Sequence, residues 1–101
     1  MEFSIRETGT SQEIALSGTM SFSDNTKLRD LLKAFESGGK TQAVVSLEHL
    51  KNIDSAGLGM LLILNDAARE HGVSLSIRGA QDQVKKMLDI TEFTSLIRVE
   101  P

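Results

Sequence analysis

Two adjoining stretches decide the fold: Ala43-Val44-Val45-Ser46-Leu47 and, after a short polar interval, Asn52-Ile53-Asp54-Ser55-Ala56-Gly57-Leu58-Gly59. The first is short, nearly continuous in apolar residues and rich in β-branched ones. That is the pattern of a central strand covered on both faces. The second reads as a handover from strand to helix. A helix is expected from about Ser55 to His71, closed by Gly72. Asp54 or Ser55 would cap it by accepting orphan backbone N–H groups. Ala56 and Gly57 keep bulk away from the turn. Binding sites in parallel α/β folds collect at such strand ends, so this turn is the candidate site.

Working outward, Phe3-Ser4-Ile5-Arg6 and Glu13-Ile14-Ala15-Leu16-Ser17 alternate apolar and polar residues, as half-buried strands do. Gly9-Thr10-Ser11 between them predicts a hairpin. Leu28, Leu31, Leu32 and Phe35 recur at helical spacing after Ser23, the expected N-cap, and Asp24, which suits a first helical turn. Gly38-Gly39 should end this helix. Val73-Ser74-Leu75-Ser76-Ile77 alternates as a further strand. A third helix should carry Val84, Met87 and Leu88. Leu96-Ile97-Arg98-Val99 is the candidate for a short last strand. The expected order is ββαβαβα with that possible strand at its end, a single domain over residues 1–101. Repeated strand-helix-strand units imply right-handed crossovers and a largely parallel inner sheet.

Composition narrows function. A chain of 101 residues can bury roughly two-thirds of its unfolded surface, enough for a core without metals or disulfides. With no cysteine, disulfides, thiolate zinc sites and thiol nucleophiles are excluded, and a reducing compartment fits. Net charge is -3 and the basic residues are scattered, which argues against nucleic acid and acidic lipid. The N-terminus lacks the form of a signal peptide. The longest apolar run, Leu58 to Leu64, falls far short of the ~20 residues that span a bilayer. The expectation is a soluble, cytoplasmic, non-membrane domain.

Within the second helix, about 100° per residue places Gly57, Leu61, Leu64 and Ala68 on one arc, expected to face the sheet. Leu58 and Leu62 fall beside the polar Asn65, Asp66, Arg69 and Glu70, and Ile63 is displaced too. Either neighbouring loops bury them or they form an apolar ridge for a partner. A nucleophilic role for Ser55 needs a base. The only histidines are His49, expected in a solvated loop, and His71, expected at a helix end. Neither stands in a Gly-x-Ser-x-Gly context, so an enzyme is disfavoured.

These segments carry a family resemblance. Leu16-Ser17-Gly18, Val44-Val45-Ser46-Leu47, Ile53-Asp54-Ser55-Ala56-Gly57-Leu58, Val73-Ser74-Leu75-Ser76-Ile77-Arg78-Gly79 and the Val84…Met87-Leu88 helix together resemble a STAS domain. That is the fold of bacterial anti-sigma factor antagonists and of the cytoplasmic tails of sulfate transporters. The resemblance implies an open mixed sheet with helices mainly on one side, in a version shortened after Val99. It implies that Ser55 is phosphorylated by a partner kinase that is often itself the anti-sigma factor. The unphosphorylated form would bind that partner and free the sigma factor, and a PP2C-type phosphatase would reset it. Partner binding would fall to Asp54, Ala56, Gly57, Leu58 and Leu62. Asp24 would join them, because Ser21 stands where the family often carries an acidic residue. No cofactor or metal is implied, and monomer and weak dimer both remain open. The alternatives are a STAS scaffold subunit of a transporter or signalling complex that is not phosphorylated, and a nucleotide- or lipid-sensing module. The latter has no phosphate loop in the sequence.

Overall fold

A hairpin opens the chain. Strands β1 (Glu2–Thr8) and β2 (Ser11–Met20) pair antiparallel from Glu2↔Ser17 to Thr8↔Ser11. Gly9, at φ 58, supplies the left-handed conformation that a tight connection needs. The computed structural model describes residues 1–36 and 38–100. After β2 a 3-10 turn (Phe22–Asp24) leads into α1 (Asn25–Leu32) and a second 3-10 turn (Lys33–Phe35). Then come β3 (Gln42–Ile53), α2 (Ser55–Glu70), β4 (Ser74–Arg78), α3 (Asp82–Ile90), a 3-10 turn (Phe93–Ser95) and the two-residue β5 (Arg98–Val99). The five strands stand in the order β1-β2-β3-β4-β5, and all neighbours beyond the first pair run parallel. The expected order of elements, the parallel inner sheet and the short last strand are those observed.

Alternation decides which face is buried. Ile14 and Leu16 of β2, Ala43, Val45 and Leu47 of β3, and Leu75 and Ile77 of β4 form one buried layer. Onto it pack Leu28, Leu31 and Phe35 from the α1 region, Leu61, Leu64 and Ala68 of α2, and Val84 and Leu88 of α3. The helices pack on that one face, as expected of an open mixed sheet, and side chains cover the other face of β3, where Ser46 and Ser76 are buried. Arg78 Nη2 donates to Glu13 Oε2 at 2.6 Å, reaching from β4 to β2 across β3. Ser46, the β3 residue beside Arg78, leaves room for that bridge.

β3 also runs further than its apolar run suggested. Beyond Ser46 it has no β4 partner, and its pairing with β2 shifts register between Ala15 and Ser17 and between Gly18 and Thr19. The bulged end brings Met20 opposite Ile53. On the free edge of β3 a side chain replaces the missing strand. Gln83 of α3 accepts from Ile53 N through Oε1 at 2.8 Å and donates through Nε2 to Ile53 O at 3.0 Å. One amide thus satisfies both backbone groups of the last β3 residue, as a neighbouring strand would.

The start of α1 differs from expectation as well. Ser23 was expected to cap it. The chain instead turns at Ser21, whose N–H donates to Asp24 Oδ2 at 2.8 Å, while the Ser23 hydroxyl meets the Ser21 hydroxyl at 3.0 Å.

Gln83→Leu keeps the volume and strands both backbone groups of the buried Ile53. It should cost about 1–3 kcal/mol in urea unfolding, and more than Gln83→Glu, which keeps one acceptor.

Candidate functional site

The junction of β3 and α2 is built around Asp54. Its backbone is extended (φ -104, ψ -177), as an N-cap requires, and its Oδ1 accepts from Gly57 N at 2.8 Å. Its carbonyl accepts from Leu58 N at 3.0 Å, the first bond of the helix. Its Oδ2 accepts from Phe22 N at 3.3 Å, and its own N–H donates to Met20 O at 3.2 Å. One residue therefore caps α2 and ties the helix to the turn after β2. Of the two candidate caps, it is Asp54 that does the work. Ser55 is left as the first helical residue, exposed, with its hydroxyl outside the cap.

Gly57 has a steric reason. A Cβ there would lie 2.7 Å from Met20 O and 2.6 Å from Ile53 Cγ1. Only glycine lets the first turn of α2 press against the carbonyl that also holds Asp54. The expected arc of Gly57, Leu61, Leu64 and Ala68 is buried.

Two expectations about the surface change and one open alternative closes. Leu58, left between burial by neighbouring loops and a ridge for a partner, is only 6% exposed and belongs to the core. The buried sector of α2 is thus wider than the arc that faces the sheet. Asn65, assigned to the polar side, is buried as well, lining one cleft with Val73, Leu75 and Leu96. Leu62 and Ala56 are half-buried. Asp24, expected to line the partner surface, is only 5% exposed. Its Oδ1 accepts from the Met1 amino group at 3.1 Å while its Oδ2 holds Ser21. Burial disfavours the charged form. The Ser21 N–H, the Met1 amino group and the nearby Lys27 outweigh it and hold the carboxyl below its ordinary value. Asp24 is a structural anchor for the turn carrying Phe22.

The surface keeps Asp54, Ser55 and, in part, Leu62 from the expected set and adds others. Ser55, Gly59, Leu62 and Asp66 follow one another at spacings of four, three and four residues and so share the outer face of α2. Ile63 beside them is 47% exposed, and Phe22, on the turn clamped to Asp54, is 73% exposed. Gly59 is unlike Gly57. Nothing lies within 4 Å of the Cβ it lacks, and its backbone is ordinary helix. A glycine inside an exposed helix costs roughly 0.5–1 kcal/mol relative to alanine, and no packing here accounts for it. Phe22 and Gly59 were missed in the sequence. The available signals were an aromatic between two polar turn residues and a glycine one turn past the cap.

The remaining candidates fall elsewhere. His49 lies within β3, exposed, not in a loop. His71 closes α2, its Nδ1 2.9 Å from Ala67 O, about 24 Å along the helix from Ser55 at 1.5 Å per residue. Among the described residues no group of three or more His, Cys, Asp or Glu side chains could hold a metal ion. No helix among them is long and apolar enough to cross a membrane.

Known proteins resemble this chain in sequence and in fold. A family profile described as "Mlab, STAS domain" matches residues 3–98. A STAS-domain containing protein of Pseudomonas aeruginosa (strain UCBPP-PA14) is 31% identical over 93 residues, covering 90% of this chain and 89% of that protein. An anti-sigma-B factor antagonist of Staphylococcus aureus (strain NCTC 8325) is 25% identical, covering 86% of this chain and 81% of that protein. Among solved structures, the anti-sigma factor antagonist SpoIIAA in its unphosphorylated form superposes with TM-score 0.79 at 17% identity, over 99% of this chain and 89% of that one. A sulfate transporter family protein from Wolinella succinogenes gives TM-score 0.74 at 18% identity, over 89% of this chain and 75% of that one. These last two likenesses are of fold.

Asp24 carries a pH signature. A carboxyl whose folded value is depressed stabilises fully above its ordinary value of 3.8 and loses that contribution as pH falls through the lower folded value. Asp24→Asn should be less stable than wild type by about 1–3 kcal/mol at pH 7. The gap should shrink below pH 3.8, read by urea unfolding across pH.

Proposed function

The chain belongs to the STAS domain family, and on that footing we propose that it is a phosphorylation-controlled binding switch of the anti-sigma factor antagonist kind. Unphosphorylated, it binds an anti-sigma factor that is also a serine kinase, and so releases a sigma factor in the cytoplasm. The observation that carries this reading is the exposed Ser55 hydroxyl at the first turn of α2, left free because Asp54 makes the cap.

The chemistry is a phosphoryl transfer. The kinase moves the γ-phosphoryl group of ATP onto Ser55 Oγ, the hydroxyl proton passes to the kinase's base, and ADP leaves. A PP2C-type phosphatase hydrolyses the ester and returns serine and inorganic phosphate. The modification brings about -1.5 to -2 charges. The positive end of α2 tolerates an anion, so the helix should persist. The Gly57 and Leu58 N–H groups are engaged by Asp54, so the phosphate meets the Ser55 and Ala56 N–H groups at the helix tip, beside the Asp54 carboxylate. A partner shaped to a neutral hydroxyl and to the apolar Phe22, Leu62 and Ile63 meets uncompensated charge. Ala56 and Gly57 serve by keeping the turn low and close to the sheet. Leu58 supports the surface from beneath.

A second reading is a STAS scaffold subunit that uses the same face without being phosphorylated. The transporter-family structural neighbour favours it. The two separate on whether Ser55 gains phosphate when the protein is incubated with ATP and a serine kinase captured from native lysate, read by mass spectrometry.

With that kinase, Ser55→Ala should bind as wild type and take no phosphate. The Ser55 phosphoprotein should bind more weakly by roughly 2–4 kcal/mol, and Ser55→Asp by less. Equal affinity across the four forms contradicts the switch. Gly59→Ala should stabilise the fold by about 0.5–1 kcal/mol while weakening kinase binding. Phe22→Ala should weaken binding with little loss of stability. Calorimetry and urea unfolding measure the two quantities separately.

A further inference from the structure

The outer edge of β1 is open, long and regular. β1 stands first in the sheet and pairs without interruption over seven residues. It contains no proline and no bulge, two of the devices that keep an edge from pairing, and its charges, Glu2, Arg6 and Glu7, are of both signs. The opposite edge, β5, has two residues and is too short to pair.

The side chains on β1 are complementary to a second copy of themselves. In an antiparallel pair, directly opposed residues lie on the same face. A two-fold axis through Ser4 sets Glu2 against Arg6 of the second copy, Phe3 against Ile5, Ser4 against Ser4, and the same again in reverse. Glu2, Ser4 and Arg6 share the polar sheet face with Glu13 and Ser17, while Phe3 and Ile5 share the helix face with Ile14 and Leu16. Two ion pairs therefore form on the polar face and two apolar pairs on the core face. The Glu2 side chain is 87% and that of Arg6 77% exposed, although each has an intramolecular partner in Lys27 and Glu13. Ile5 is 38% exposed. A slip of one residue opposes Glu2 to Glu7 and Phe3 to Arg6, putting like charges together and an apolar ring against a guanidinium.

We infer that β1 is a homodimerisation edge, joining two copies into one continuous ten-stranded sheet through the register centred on Ser4. A single strand pair lies at the small end of specific interfaces, so the dimer is weak and reversible. The proposal is independent of the chemistry at Ser55.

Sedimentation equilibrium should show wild type dimerising in the high-micromolar range. Arg6→Glu turns both ion pairs repulsive and should weaken association by about tenfold or more. Adding Glu2→Arg should restore it. That recovery cannot come from the intramolecular contacts, which the double change leaves unfavourable. The chain has no cysteine, so Ser4→Cys offers a second readout. Opposed Cα atoms in an antiparallel pair lie about 4.5–5.5 Å apart, within reach of a disulfide. Ser4→Cys should oxidise to a covalent dimer much faster than an exposed control, Glu70→Cys, at equal concentration. A wild type that stays monomeric, a dimer indifferent to the charge exchange, or a Ser4→Cys variant no faster than the control would each overturn the proposal.

Discussion

The Met20 carbonyl oxygen is the point on which the site depends. It accepts from Asp54 N, and it lies so close to the first turn of α2 that a Cβ on Gly57 would approach to 2.7 Å. Three elements meet there: the end of β2, the end of β3 and the start of α2. The register shifts late in β2 bring Met20 opposite Ile53, and the Gln83 amide holds Ile53 from the other side. The helix N-terminus is thus fixed from both edges of β3. A helix held in this way can accept a change of charge at its tip without moving, which is what a switch acting on its partner rather than on its own fold requires.

The acidic residues around the turn divide the structural work. Asp54 spends one oxygen on the helix cap and the other on the Phe22 N–H, so capping and loop placement come from one side chain. Asp24 is turned inward and bound to the Ser21 N–H and the Met1 amino group, and so shapes the loop from below. Neither task needs the Ser55 hydroxyl. The serine hydroxyl stays outside the cap because Asp54 accepts the Gly57 and Leu58 N–H groups.

Much of this was readable in the sequence. The alternation of β1 and β2, the β-branched run of β3 and the Asp54-Ser55 capping pair are local signals, and they located the strands and the start of α2. The Gly57, Leu61, Leu64, Ala68 arc was readable because a sixteen-residue helix gives several turns of consistent period. What escaped came from elements meeting. Residues Glu48–Asn52 look like a loop because they are mostly polar, yet β3 continues through them against β2, where the bulged pairing breaks the alternation. Leu58 and Asn65 sit at the margin of the helical arc, and only the elements packed beside the helix decide that they are buried. Asp24 read as a surface acid because burying a carboxylate needs partners distant in sequence, here the Met1 amino group. The open polar face of the sheet was hidden because Ser46 lies among apolar neighbours, and the Glu13–Arg78 bridge that covers it spans 65 residues of chain.

The central claim is that phosphate at Ser55 changes what the helix tip presents and leaves the helix intact. Hydrogen exchange at the Gly57 and Leu58 amides, measured in the free protein before and after stoichiometric phosphorylation and set beside its affinity for the proposed anti-sigma kinase, tests this most directly. The account predicts unchanged protection at both amides together with a large loss of affinity. Loss of protection would mean that the switch works by unwinding the turn, and unchanged affinity would mean that the charge at position 55 is not read by the partner at all.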